Sequence, residues 1–147
     1  RGIGRPSNNG KARVYGVELG IDLPINSQLN LTSNLTWQDA RSTDRLTGFY
    51  DRLLPGEAKL AWYTRLHYSA SALGLWYEID SRQTLYYDRA NILPAPDVAQ
   101  HSIGMEWQTD GWQLTLNLHN LTNENVEDFN GFPKPGRNFQ LTITRAI

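Results

Sequence analysis

The sequence predicts an all-β fold, an antiparallel up-and-down meander of about seven strands of the kind that forms the wall of a transmembrane β-barrel. Three observations carry this expectation. Large apolar residues recur at every second position along most of the 147 residues, the period of a strand with two unlike faces. Short and long connections alternate strictly along the chain. Aromatic residues gather near both ends of the apolar faces, at the heights where a bilayer would meet water. A soluble β-sandwich also alternates and is the competing architecture. Here, though, the in-between residues are mostly uncharged, and a sandwich gives no reason for the rhythm of the connections.

The first predicted strand, about 11–23, sets Tyr15, Val17, Leu19, Ile21 and Leu23 against Gly16, Glu18, Gly20 and Asp22. The second, about 28–40, sets Leu29, Leu31, Leu35 and Trp37 against Asn30, Thr32, Asn34, Thr36 and Gln38. In the third, about 57–68, Leu60, Trp62, Leu66 and Tyr68 oppose Lys59, Tyr63, Arg65 and His67. The fourth, about 73–82, places Leu73, Leu75, Tyr77 and Ile79 opposite Trp76, Glu78 and Asp80. The fifth, about 98–108, carries Ile103, Met105 and Trp107 against Gln100, Ser102, Gly104 and Glu106. The sixth, about 112–119, and the last, about 139–144, alternate Trp, Leu, Phe and Ile with Gln, Thr, Asn and His. No stretch of useful length has a helical period.

Pro24-Ile25-Asn26-Ser27, Ser69-Ala70-Ser71-Ala72 and Thr109-Asp110-Gly111 read as tight hairpin turns. The intervening connections, roughly 41–56, 83–97 and 120–137, are long and rich in Arg, Asp, Tyr, Asn, Pro and Gly. In a meander all short turns then lie at one end and all long loops at the other, the asymmetry of outer-membrane barrels. Tyr68, Trp107 and Trp112 stand by the turns; Trp37, Trp62 and Phe139 stand by the loops. These six are expected to form two girdles at the membrane interfaces.

Composition narrows the function. No run approaches the roughly 18 apolar residues of a membrane-spanning helix. The chain starts at Arg1 with no apolar h-region in view, so no signal peptide is visible, and a longer N-terminus fits equally well. Zero cysteines remove disulfide frameworks and thiolate metal sites. A net charge of −1 gives no reason to expect nucleic acid as a partner. His67, His101 and His119 sit on separate predicted strands without a nearby second ligand, so neither a metal site nor a bound cofactor is expected. Nothing in the pattern points to an enzyme. Glu78 and Asp80 share a face with Lys59 and Arg65, which reads as an ion-pair network on the polar side. The sequons at Asn30, Asn34 and Asn120 read more simply as polar lumen or turn residues.

The tail resembles the end of a known family. Asn120-Leu121-Thr122-Asn123, Phe129-Asn130-Gly131-Phe132-Pro133, Pro135-Gly136-Arg137 and the closing alternating strand resemble the C-terminal end of TonB-dependent outer-membrane receptors. Val14-Tyr15-Gly16-Val17-Glu18-Leu19 resembles that family's aromatic-Gly-Val-Glu strand. Gly48 through Leu54-Pro55, with Leu66-His67-Tyr68 beyond, fits its loop-to-strand pattern. The resemblance implies that residues 1–147 are the C-terminal third of a 22-stranded barrel, with the plug domain and earlier strands elsewhere. An open seven-stranded sheet in lipid would leave two unpaired edges. Residues 1–10 would then enter an external loop. One departure stands out: such barrels usually end in an aromatic residue, and here the last residue is Ile147.

The function so implied is energised import of a scarce nutrient across the bacterial outer membrane. A ferric siderophore is the first choice of cargo, with cobalamin, haem or an oligosaccharide as alternatives. The TonB complex would engage the absent N-terminal region, and lipopolysaccharide would surround the wall. Loop residues Arg45, Tyr50, Arg52, Tyr86, Tyr87 and Arg89 are the candidate ligand contacts. Arg offers a fixed charge and forked donors and Tyr a flat amphipathic face, a combination suited to an anionic, aromatic chelate. The plainer alternative is that these residues solvate the loops or bind lipopolysaccharide phosphates. A passive porin or structural barrel, and a soluble carbohydrate-binding β-sandwich, are the rival classes.

Overall fold

The structure, a computed structural model, describes residues 10–145. The chain forms β1 (Ala12–Pro24), β2 (Leu29–Ser42), β3 (Leu60–Ala70), β4 (Leu73–Gln83), β5 (Val98–Thr109), β6 (Trp112–His119), β7 (Glu127–Phe129), β8 (Phe132–Pro133) and β9 (Asn138–Arg145). Seven of these make one sheet in the order β1-β2-β3-β4-β5-β6-β9, every neighbouring pair antiparallel. The predicted meander is the observed one, and the sheet does not close on itself. The placement of residues 1–10 falls outside the described residues except for Gly10, as does the departure at Ile147.

Register puts the apolar residues in one continuous layer. Val17 pairs with Trp37, Leu19 with Leu35, Leu31 with Leu66 and Leu66 with Tyr77. The layer continues through Tyr77–Ile103, Ile103–Leu118 and Leu118–Phe139. Directly opposed residues share a face, so all these side chains lie on one side. The strands contact only their hydrogen-bonded neighbours. No second sheet among the described residues covers either face, as a sandwich requires.

Among the described residues, only Ala40 and Val126 are buried hydrophobics, whereas Val17 is 66% exposed, Ile143 59% and Leu141 53%. A water-soluble monomer rarely leaves a continuous apolar patch of more than a few hundred Å² uncovered. Nothing among the described residues covers this layer.

The turns are tighter than predicted because pairing runs further. Ala70 still pairs with Leu73, leaving Ser71-Ala72 as the link, and Thr109 pairs with Trp112, leaving Asp110-Gly111. Gly111 has φ 73°, the left-handed conformation that glycine adopts without a Cβ clash. In the 25–28 turn the Asn26 side-chain oxygen accepts the Gln28 and Leu29 N–H groups at 2.8 and 2.9 Å, substituting for a backbone turn.

β2 extends to Ser42, since β1 pairs with it as far back as Ala12. β3 begins at Leu60 rather than near 57. Before it, Gly56 turns the chain at φ 80°, and the Gln38 side chain donates to Glu57 and the Ala58 carbonyl. The β7–β8 hairpin inside the last loop was not anticipated. Its strands have three and two residues, too few for a period to show.

Candidate functional site

The polar face carries a cross-strand cluster centred on Trp76. Its neighbour across the ladder is Gly104. A Cβ at Gly104 would lie 2.1 Å from the Trp76 ring, so only glycine leaves room for the indole to lie flat on β5. The Arg65 guanidinium stacks 4.9 Å above the same ring and lies 3.4 Å from the Glu78 carboxylate. The Tyr63 hydroxyl donates to Glu78 at 3.0 Å. One part of the predicted ion-pair network is therefore the Arg65–Glu78 pair. Asp80 instead lies 3.9 Å from Arg82, its same-face neighbour two residues along β4, while Lys59 precedes β3. The cluster satisfies its own charges and reads as a strut. Its signal in the sequence is Gly104 inside a strand, which marks a close approach.

The six aromatics expected at the interfaces all sit on the apolar face. Trp107 and Trp112 flank the Asp110-Gly111 turn, and Tyr68 pairs with Leu75 three residues from the Ser71-Ala72 turn. Arg145 places its guanidinium 5.2 Å from the centre of the Trp112 ring. At the other end Trp37 pairs with Leu60, Trp62 with Leu35 and Phe139 with Leu118. Just beyond Trp37 this face turns polar: Arg41 makes a forked contact with the 95%-buried Asp39, at 2.8 and 3.0 Å, and donates to the Asp51 carbonyl.

Between the two aromatic rows the few polar side chains are paired. Ser33 and Thr64 hydroxyls lie 2.8 Å apart, and the Tyr77 hydroxyl is 2.6 Å from His101 Nδ1. Pairing lowers the cost of holding such groups away from water. The Ser81 hydroxyl, opposite Trp62, is buried without a partner.

At the far end the long loops pack together rather than waving free. Of the six candidate contact residues, Arg45 and Tyr50 form a stacked pair, guanidinium 5.0 Å from the ring centre, and both are exposed. Arg89 reaches across from the next loop to a cavity that it lines with Asp44, Thr47, Phe49 and Leu53. Tyr87 lines a separate cavity with Arg82, Val126 and Glu127, between the 84–97 loop and the β7–β8 hairpin. Burial raises the Tyr87 phenol above its usual range, the Glu127 carboxylate adds to this, and Arg82 opposes it. The phenol is thus a neutral hydrogen-bond donor at pH 7. Tyr86 engages through its backbone, bridging to Pro94 and accepting the Gly56 N–H at 2.9 Å. Arg52 is exposed, and its carbonyl accepts the Ser42 N–H. Arg45, Tyr50 and Arg89 therefore gather on one side of the loop layer, and Tyr87 lies on another.

The Asn-Leu-Thr-Asn segment has a structural account. Asn120 is buried at φ 52°, and its amide donates to the Glu124 carbonyl and accepts the Glu124 N–H, both at 2.8 Å. Asn123 accepts the Arg137 N–H at 2.9 Å, and its oxygen would lie 2.7 Å from a Cβ at Gly136. The two asparagines fasten the start of the last loop to itself and to the Pro-Gly-Arg turn at its end.

Comparison with known proteins accords with this geometry. The family model described as "TonB dependent receptor-like, beta-barrel" matches residues 2–121. The match stops short of the last loop and β9, the stretch richest in recognisable motifs. No curated protein matches in sequence. Among solved structures, the siderophore receptor PiuA from Acinetobacter baumannii superposes with a TM-score of 0.80 at 18% identity, over 91% of this chain and 22% of that one. The ferric yersiniabactin uptake receptor FyuA from Yersinia pestis gives 0.75 at 15% identity, over 89% of this chain and 22% of that one. The copper transporter OprC gives 0.75 at 17% identity, over 91% and 23%. The chain thus spans less than a quarter of the length of these proteins. At such identities the likeness concerns the fold. The single-layer sheet, its apolar face and the family match together establish that this chain belongs to the TonB-dependent receptor β-barrel family, a family of outer-membrane barrels.

Proposed function

We propose that this chain is the C-terminal part of the barrel wall, with its external loops, of an outer-membrane receptor. The receptor imports a scarce nutrient, a ferric siderophore in the first instance, using energy delivered by the TonB system through a region outside this chain. The supporting observation is one sheet with an uncovered apolar face, a polar face opposite and packed long loops at one end only. In this reading the apolar face meets lipid, the Trp76 face lines the lumen, and the six aromatics mark the two interfaces. Arg45 with Tyr50, and Arg89 one loop away, supply cationic and aromatic groups for an anionic chelate, while Arg52 and Tyr86 stand in the same two loops and Tyr87 faces a separate cavity. The structural relatives include a copper transporter beside siderophore receptors. Cargo is therefore a property of loops rather than of fold.

The test uses the full-length receptor as the sole importer in iron-limited cells, with single ferric siderophores supplied in turn. Uptake should require the proton gradient. Uptake that survives a protonophore would mean a passive barrel instead. The Arg45→Ala, Arg89→Ala double variant should lower uptake affinity by on the order of tenfold or more, since hydrogen bonds to charged groups carry about 1.5–3 kcal/mol each. Unchanged affinity would remove these two arginines from the ligand site.

A further inference from the structure

The long loops after β2 and β4 are tied by one side chain. Asn91, at the tip of the 84–97 loop, sits at φ 57° and turns its amide toward Leu53 of the 43–59 loop. Its Oδ1 accepts the Leu53 N–H at 2.8 Å, and its Nδ2 donates to the Leu53 carbonyl at 3.0 Å. Both backbone groups of one residue are thus satisfied by one side chain 38 positions away, as a neighbouring strand would do.

Each side of this contact is itself braced. Around Asn91, the Asp88 carboxylate accepts the N–H groups of Ala90, Ile92 and Leu93, and Tyr87 N–H donates to the Leu93 carbonyl. Around Leu53, the chain bridges to Arg41 of β2, and Leu54 N–H donates to the Ala40 carbonyl. A second crosslink, Gly56 N–H to the Tyr86 carbonyl at 2.9 Å, lies nearby.

We propose that Asn91 is a positioning residue that locks the 43–59 and 84–97 loops into one rigid body. Any movement over the barrel mouth then carries both loops together, and Arg89, two residues from the clamp, keeps its place beside Asp44 and Phe49. The physical reason is the accounting of backbone groups. If either loop swung alone, the Leu53 N–H and C=O and the Gly56 N–H would lose their partners together, while the Asn91 amide would keep only its 3.3 Å bond to the Asp88 carbonyl. This inference requires no particular cargo, so it stands or falls separately from the import reading.

The test uses the intact receptor in lipid nanodiscs. Asn91→Gly removes the clamp but keeps the left-handed backbone available, separating the side chain's role from conformational strain. Amide exchange at Leu53 and Gly56 should rise on the order of tenfold or more, the factor that one net hydrogen bond supplies. Exchange at Leu93 should not change, because Asp88 still holds it. Asn91→Asp keeps the acceptor and loses the donor, so its exchange at Leu53 should fall between wild type and Asn91→Gly. Spin labels on the exposed Thr47 and Ile92 should report one narrow distance in the parent and a broad one in Asn91→Gly. A broad distance in the parent, or a narrow one that survives Asn91→Gly, overturns the proposal. So does an exchange increase confined to Leu93.

Discussion

Replacing Leu116 with Arg is expected to cost the assembled barrel about 2–4 kcal/mol, the price of a cation on a lipid-facing strand near the bilayer midplane. Leu116 lies on the apolar face of β6, flanked across the ladders by Met105 and Leu141. It is four residues from Trp112, in the aromatic row by the turns, and two from Leu118, which pairs with Phe139 in the other row. Total stabilities are typically 5–15 kcal/mol, so the loss is large. It should appear as a lower denaturant midpoint in lipid and less heat-modifiable protein in the outer membrane. Asn117→Arg, one residue away on the polar face, should have a much smaller effect. Equal effects of the two would mean that β6 does not present its leucines to lipid.

Asn120→Ala is expected to cost about 2–4 kcal/mol by another route. The lost amide removes two hydrogen bonds, to the Glu124 N–H and C=O, at about 0.5–1.5 kcal/mol net each. Alanine must also hold φ near 52°, at roughly 1 kcal/mol more. Asn120→Gly removes the second penalty and keeps the first, so it should recover part of the loss. Limited proteolysis should cut between 121 and 137 faster in Asn120→Ala than in Asn120→Gly, and both faster than in the parent. Parent-like resistance in Asn120→Ala would show that the asparagine does not hold the loop.

Much of the wall was legible in the sequence because a strand's side-chain period of two survives uncertainty at its ends. A pattern such as Leu114, Leu116, Leu118 assigns faces whether or not the last pair is included. The ends shifted by one or two residues where pairing outran the pattern, as at Ala40 to Ser42, and β3 starts three residues later than its pattern. The loops were far less legible. Tyr86, a candidate for its ring, is engaged through its backbone. Asn91 and Asp88, which organise the loop around it, differ from ordinary loop polar residues only in the partners that folding brings them. Asn91 meets Leu53 from 38 residues away, and no local period encodes that meeting. The Trp76–Gly104 contact was half visible, since a glycine inside a strand signals close approach without naming what approaches. Asn120 reads from sequence as a polar lumen or turn residue, and its burial and double hydrogen bond emerge only with the fold.

In the barrel reading, one face of this sheet meets lipid and the other does not. Alternation along β3 tests it most directly. The chain has no native cysteine, so single cysteines can be placed at residues 60 to 69 of the intact receptor, itself made otherwise cysteine-free, and spin-labelled in a bilayer. Labels at 60, 62, 64, 66 and 68 should be relaxed strongly by oxygen, which concentrates in the hydrocarbon. Labels at 61, 63, 65, 67 and 69 should be protected from it, giving a period of two across the strand. Uniform relaxation at both sets, or strong relaxation by a water-soluble nickel chelate at 62, 64 and 66, would contradict a lipid-facing wall.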